Sequence, residues 1–217
     1  MYNISVFKNK ILVILIIMIT LFFASSLNSL AVIDQAGIFS ASSLQIGYGV
    51  QLAQLARDGM QKLGYNVTEY NDSVTSIQTI ENYITDSGNH YAMYLNGHGA
   101  QDVFSIYETG NEIITPTNNT IKGYWHFIFM SSCSSAATDS FANAFKTTGY
   151  TNRAFMGWYQ PVYVVWNYRW SQQFWPHVGE NTLRQVALDA TSVSDTPGTT
   201  PIRMYGDKTW YGWAWDK

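Results

Sequence analysis

Apolar positions in this chain fall into short blocks of two kinds. In residues 47–63, GYGVQLAQLARDGMQKL, Leu52, Ala56, Met60 and Leu63 recur at helical spacing and Gly64 ends the pattern. Residues 73–84, SVTSIQTIENYI, return to it with Ile77, Ile80 and Ile84, and DSGN stops them. Around these helices lie strand-like blocks: AVIDQAG (31–37), YNVTEY (65–70) and HYAMYLNG (90–97). The last is apolar enough for a strand buried on both faces. The order strand–helix–strand–helix–strand predicts a parallel sheet with crossover helices.

Residues 102–123 read as a small hairpin-like excursion, two β-prone runs around ETGNE followed by a polar loop. WHFIFMSS (125–132) is the next core strand and SSAATDSFANAFKTTG (134–149) a helix closed by Gly149. RAFMGWYQP (153–161) predicts a strand ending in an aromatic loop. Two helices follow over 162–176 and 180–190, then a polar loop with two prolines and a tail with a last short strand. There is no internal repeat, low-complexity tract or domain linker.

The N-terminus follows a different pattern. Lys8 and Lys10 precede the apolar run Ile11 to Ala24, and small residues stand at Ser29 and Ala31. A positive start, a short apolar stretch and small residues predict an export leader over 1–31 cleaved after Ala31. Retention as a membrane anchor over 11–30 is the competing reading, although the strictly apolar run is shorter than the roughly 20 residues of a spanning helix. Both readings put the remaining domain, 32–217, outside the cytoplasm, secreted or anchored. Composition then narrows the class. Charged residues are only 12% and aromatics 16%, which excludes disorder. With 12 basic against 15 acidic residues and no basic run, nucleic acid is excluded as a partner. Asn66, Asn71 and Asn118 stand in glycosylation sequons.

Candidate chemistry gathers at two strand ends. In YAMYLNGHGAQD (91–102), a buried strand runs into His98 between Gly97 and Gly99, at the carboxyl end of the strand, where open α/β sheets bind ligands. A lone histidine is more often a satisfied core or surface residue, and this position is what raises its standing. In HFIFMSSCSS (126–135), the only cysteine, Cys133, has the same address, flanked by Ser131, Ser132, Ser134 and Ser135. One cysteine in an exported chain forms no internal disulfide; it is buried and inert, paired with another chain, or used chemically. Four serines argue against a dry core site, and the start of the expected 134–149 helix would favour thiolate. Two adjacent strands ending in His and Cys would place imidazole and thiol over one cleft, as a nucleophile with a general acid/base requires.

Strand–Asn-Gly-His-Gly followed, after a hairpin-like insert, by strand–Ser-Ser-Cys-Ser resembles the caspase-like cysteine peptidases, closest in pattern to gingipain-like and CHAT-domain proteins. FANAFKTTGYTNRAFMGWYQPV resembles the helix and strand that follow their nucleophile, ENTLRQVALDA a later helix, and IRMYGDKTWYG the terminal YGDP element. The likeness spans roughly residues 31–210. It implies a caspase-like three-layer α/β sandwich with a mostly parallel central sheet flanked by helices. It also implies an endopeptidase acting on peptides or proteins without a cofactor. By the same resemblance Cys133 is the nucleophile and His98 the general acid/base, with the backbone N–H groups of Gly99 and Cys133 as the oxyanion hole. The resemblance further implies that Gly157, Trp158, Tyr159 and Gln160 line the substrate pocket. Lys208 stands where the gingipain-like pattern favours proline, and no third, orienting carboxylate is supplied; Asp102 is assigned no role. An activating cleavage, if one occurs, falls in the 106–122 loop.

Late tryptophans form the remaining pattern. Tyr163, Trp166 and Trp170 share one helical face, which predicts packing over the sheet; the alternative is an aromatic surface for sugars or a partner. That alternative supplies the rival function, a catalytically silent caspase-like surface or glycan-binding module. A second rival is a membrane-anchored structural protein paired through Cys133. His90, His126 and His177 show no metal-ligand spacing, so no metal site is expected.

Overall fold

The computed structural model describes residues 34–40, 48–70, 76–86, 90–106, 113–117, 121–122, 124–194 and 202–214. The leader (1–31), the ETGNE segment, most of the 106–122 loop and the sequons at Asn71 and Asn118 lie outside the described residues. From Asp34 on, these residues belong to one compact unit.

Among the described residues, eight strands and five α-helices follow in chain order. They are β1 (Gln35–Ser40), α1 (Tyr48–Lys62), β2 (Asn66–Tyr70), α2 (Ile77–Thr85), β3 (His90–Asn96), β4 (His98–Ala100) and β5 (Val103–Ser105). Then come β6 (Phe127–Ser131), α3 (Ser140–Ala144), β7 (Ala154–Trp158), α4 (Val164–Phe174), a 3₁₀ turn (Trp175–His177), α5 (Leu183–Val193) and β8 (Ile202–Gly206). Six strands form one sheet in the order β2-β1-β3-β6-β7-β8, and β4 with β5 makes a separate antiparallel pair. Every pairing in the main sheet is parallel except β7 with β8. The expected three-layer α/β sandwich with a mostly parallel sheet is therefore the observed one.

The central strands read as unbroken apolar runs because both of their faces are covered. Tyr94, Phe127, Phe129, Met156 and Trp158 face one core, closed by α1, α4, α5 and the buried rings of Trp170, Phe174 and Trp175. Their alternates, Met93, Leu95, Ile128, Met130 and Phe155, face a second core under α2 and α3. Local signals start the helices: the Ser76 hydroxyl accepts the Thr79 N–H at 3.1 Å to cap α2, and Thr182 accepts from Gln185 at 3.2 Å to cap α5. The aromatic stripe divides. Trp170 is fully buried, whereas Tyr163 precedes the helix and is 69% exposed, stacked edge-on with Trp166.

The expected hairpin over 102–123 begins earlier, at His98 itself: His98 pairs with Ser105 and Ala100 with Val103 across a turn in which Asp102 adopts φ 59°. Phe104 in turn exchanges two backbone hydrogen bonds with Ile114, so the runs on either side of ETGNE do meet.

At the opposite end of the sheet His126 is buried between Tyr91, with ring centroids 5.0 Å apart, and Trp210. Loss of water around the ring lowers its pKa to about 4, and Arg153 acts in the same direction. The Asp34 carboxylate 3.6 Å from Nδ1 is beyond hydrogen-bond length and does not reverse this. An unfolded histidine titrates near 6.5, so between pH 6.5 and 4 the unfolded chain binds a proton that the folded one refuses. Stability therefore rises with pH through this window and is lost on acidification, by about 3 kcal/mol. Urea denaturation at pH 7 and pH 4.5 checks this, with His126→Phe expected to flatten the difference.

Candidate functional site

Strand order fixes where the site lies. β1 runs through α1 to β2 on one side while β3 lies on its other side, so the sheet reverses its winding between β1 and β3. Loops at the carboxyl ends of strands beside such a point are free to separate and leave a crevice. β3 pairs with β6 so that Asn96 stands opposite Ser131. Two residues beyond that rung lie His98 on one segment and Cys133 on the other.

Gly99 holds these two segments together. A Cβ at this position would lie 2.6 Å from Ser132 Oγ, 2.8 Å from Ser132 Cβ and 2.9 Å from the Cys133 carbonyl oxygen. Only a residue without a side chain lets the backbones come this close. The β4–β5 turn makes a second link: the Thr138 hydroxyl donates to Asp102 Oδ1 at 2.5 Å, tying the histidine hairpin to the chain after the cysteine. His98 is half-buried, its Nε2 is enclosed, and neither ring nitrogen has a hydrogen-bond partner among the described residues.

Cys133 is half-buried as a free thiol. Val162 brackets its sulfur: the thiol donates to the Val162 carbonyl at 3.5 Å and the Val162 N–H points at Sγ from 3.4 Å. The Cys133 N–H has no acceptor among the described residues. One expectation is corrected here. The helix expected over 134–149 shortens to Ser140–Ala144, so no helix N-terminus acts on the thiol. The backbone after Cys133 is instead committed to the exit of β7. Ser134, at φ 54°, donates its N–H to Gln160 at 3.3 Å, and Ala136 donates to Trp158 at 3.0 Å. Ser135 finishes the bracing by donating to Met130 at 2.6 Å and accepting from the Trp158 N–H at 3.2 Å. The serines around the sulfur thus act largely as joints between two strand ends.

The four residues expected in the substrate pocket separate. Gly157 is buried, with Ser135 Oγ only 2.5 Å from where its Cβ would stand, and the Trp158 indole is fully enclosed in the core. Tyr159 is 40% exposed with the Arg203 guanidinium 3.7 Å above its ring, and Gln160 is exposed. Tyr159 and Gln160 are thus the pair whose side chains reach solvent beside the cysteine loop. Arg203 is pinned by the Ala137 carbonyl at 3.1 Å and the Tyr205 hydroxyl at 3.2 Å.

Two participants escaped the sequence reading. Val162 carries no chemical signal at all, since it contributes only backbone. Asn167 does carry one: a polar residue inside the aromatic run VYVVWNYRW, it is 1% exposed on the face of α4 turned to the sheet. Its Oδ1 accepts from Ser131 at 3.0 Å and from Ser171 at 3.4 Å. Among the described residues no group of three His, Cys, Asp or Glu side chains could hold a metal, and no helix is long and apolar enough to cross a membrane.

A mostly parallel sheet carrying His-Gly and Ser-Cys on adjacent strand ends defines a caspase-like α/β architecture. No family model and no curated protein sequence matches the chain. Among solved structures it is similar to the Arg specific cysteine proteinase gingipain R, with a TM-score of 0.53 and 14% identity over 83% of this chain. The complex of the pro- and mature domains of Porphyromonas gingivalis RgpB gives 0.49 and 13% over the same share. The chain spans about half of these structures, 48% in each. At this identity the likeness concerns the fold alone, over the matched half of gingipain R.

Proposed function

We propose that this protein is an exported cysteine endopeptidase in which Cys133 attacks the scissile carbonyl and His98 moves the protons. The observation that carries this reading is the seating of Gly99 against Ser132 and Cys133, which brings the two strand ends onto one rim. In the first step the thiol gives its proton to the His98 imidazole as the sulfur–carbon bond forms, and the carbon–nitrogen bond then breaks as the leaving amine takes that proton from the imidazolium. Because Nε2 is enclosed, Nδ1 is the nitrogen that would face the leaving group. Water then attacks the acyl-enzyme with His98 as base, the sulfur–carbon bond breaks and the thiol is restored. The N–H groups of Gly99 and Cys133 would hold the oxyanion, a task for which the uncommitted Cys133 N–H is suited. Tyr159 and Gln160 would border the substrate, with Gly157 and Trp158 contributing backbone support. Export rests on the leader, which is either removed after Ala31 or kept as an anchor.

A thiol-directed peptide electrophile tests the site directly. Labelling is expected on Cys133 in the wild type and is expected to fall at least about tenfold in His98→Ala, as loss of a general acid/base predicts. Equal labelling rates in the two proteins would remove His98 from the mechanism.

A further inference from the structure

The first turn of α4 stands beside the proposed nucleophile and carries two aromatic rings that the core does not enclose. The Cys133 sulfur lies 3.5 Å from the Val162 carbonyl oxygen, and that carbonyl is bonded to the nitrogen of Tyr163. Standard peptide dimensions then put the Tyr163 Cα within about 6 Å of the sulfur. Two sets of contacts fix this turn in place. The Tyr163 carbonyl accepts the N–H groups of Trp166 and Asn167, each at 3.0 Å. The buried Asn167 amide is in turn hydrogen-bonded to Ser131, at 3.0 Å, two residues before the cysteine.

Tyr163 is exposed and Trp166 half-buried, with ring centroids 4.8 Å apart and ring planes at 87°. Side chains on a helix lean toward its N-terminus, so the Trp166 indole leans back over the turn that abuts the sulfur. The two rings are thus the walls of a right-angled corner whose Tyr163 side faces solvent. Other aromatic rings near the cysteine loop are already covered. Trp158 is enclosed in the core, and the Tyr159 ring carries the Arg203 guanidinium at 3.7 Å. Among the described residues the ring contact of Tyr163 is with Trp166 alone. Aromatic surface left open beside a reactive group is area that a ligand can bury.

We propose that Tyr163 and Trp166 form a substrate subsite that takes an aromatic side chain, Phe, Tyr or Trp, within two residues of the scissile bond. This rests on the peptidase reading above. The position follows from reach: an extended substrate advances about 3.3 Å per residue, so a corner this close to the sulfur serves the residues flanking the cleaved bond. The chemistry follows from the surroundings. From Ser140 to Gly179 the chain has no Asp or Glu, and the exposed Arg169 stands three residues beyond Trp166. The start of α4 adds partial positive charge. A basic side chain could stack on the rings but would meet this field without a counter-ion. A carboxylate would gain from the field and leave both rings uncovered. An aromatic side chain fills the corner, stacking offset on one wall and edge-on to the other.

A mixed peptide library tests this, with cleavage positions mapped by mass spectrometry for wild type, Tyr163→Ala, Tyr163→Phe and Cys133→Ala. In the wild-type map one of the two positions on either side of the cleaved bond is expected to favour aromatic residues over Ala at least about fivefold. Internally quenched peptides built on that sequence, with Phe or Ala at the chosen position, then give kcat/KM ratios. The Phe-to-Ala ratio should collapse toward unity in Tyr163→Ala and be kept in Tyr163→Phe, which retains the ring. Cys133-dependent cleavage without aromatic preference at these positions overturns the inference while sparing the peptidase reading. So does a Tyr163→Ala protein whose ratio is unchanged, even if all its rates fall, because the ring would then support the Val162 backbone and not the substrate. If a variant fails to fold, the wild-type map alone decides. Absence of any Cys133-dependent cleavage sinks the peptidase reading and the inference together.

Discussion

Cys133→Ala is expected to abolish peptide hydrolysis, lowering turnover by on the order of 10⁴-fold or more, while thermal stability stays within about 1 kcal/mol of wild type. The asymmetry follows from where the sulfur sits. It is half-exposed and, among the described residues, held by two long contacts to the Val162 backbone, at 3.4 and 3.5 Å, so its removal leaves no sizeable cavity. Its loss to catalysis is complete because no other thiol exists in the chain. Digestion of a peptide library by the two proteins side by side, with a melting curve for each, measures both halves. Equal digestion would reassign the nucleophile; a large drop in melting temperature would make the cysteine a structural residue.

Gly99→Ala should damage function nearly as severely through geometry alone. The added methyl would stand 2.6 Å from Ser132 Oγ and 2.9 Å from the Cys133 carbonyl oxygen, so the hairpin carrying His98 must move away from the cysteine loop. Thr138 and Asp102 hold these two segments together on their other side, which concentrates the displacement at the rim. A shift of even about 1 Å between reacting groups costs on the order of 10²-fold in rate, and forcing a methyl into a packed contact costs about 1–3 kcal/mol. The expected result is a protein that still folds, melts lower and loses at least about 10²-fold in kcat/KM. Unchanged kinetics in Gly99→Ala would show that the spacing of the two strand ends does not govern the reaction.

Much of the architecture was legible in the sequence because the strands are buried on both faces. HYAMYLN and FIFMS admit no polar side, so their length and apolar density mark them as central strands. Helices with strong periodicity, such as the one carrying Leu52, Ala56 and Met60, were equally plain. The 134–149 segment misled for a physical reason. Its alanines and phenylalanine suit a helix, but Ser134, Ser135 and Ala136 have first claim on the carbonyls and N–H groups at the end of β7. Tertiary hydrogen bonds overrode local propensity there. Trp158 misled in another way. A residue next to a loop looks available, yet a strand alternates, and the alternate at 158 faces the core under α4. His98 and Cys133 were visible as types at strand ends; the backbone of Val162, which holds the sulfur, has no sequence signature because any residue supplies the same N–H and C=O.

A sulfur with no second thiol in its chain also has a chemical fate of its own. Should peroxide convert the half-exposed Cys133 to a sulfenic acid, no resolving neighbour can capture it as an internal disulfide. Rescue then depends on small thiols supplied by the surroundings, and without them oxidation proceeds to the irreversible sulfinic state. Any activity that depends on this thiol would therefore be lost to peroxide faster than it is restored wherever such thiols are scarce.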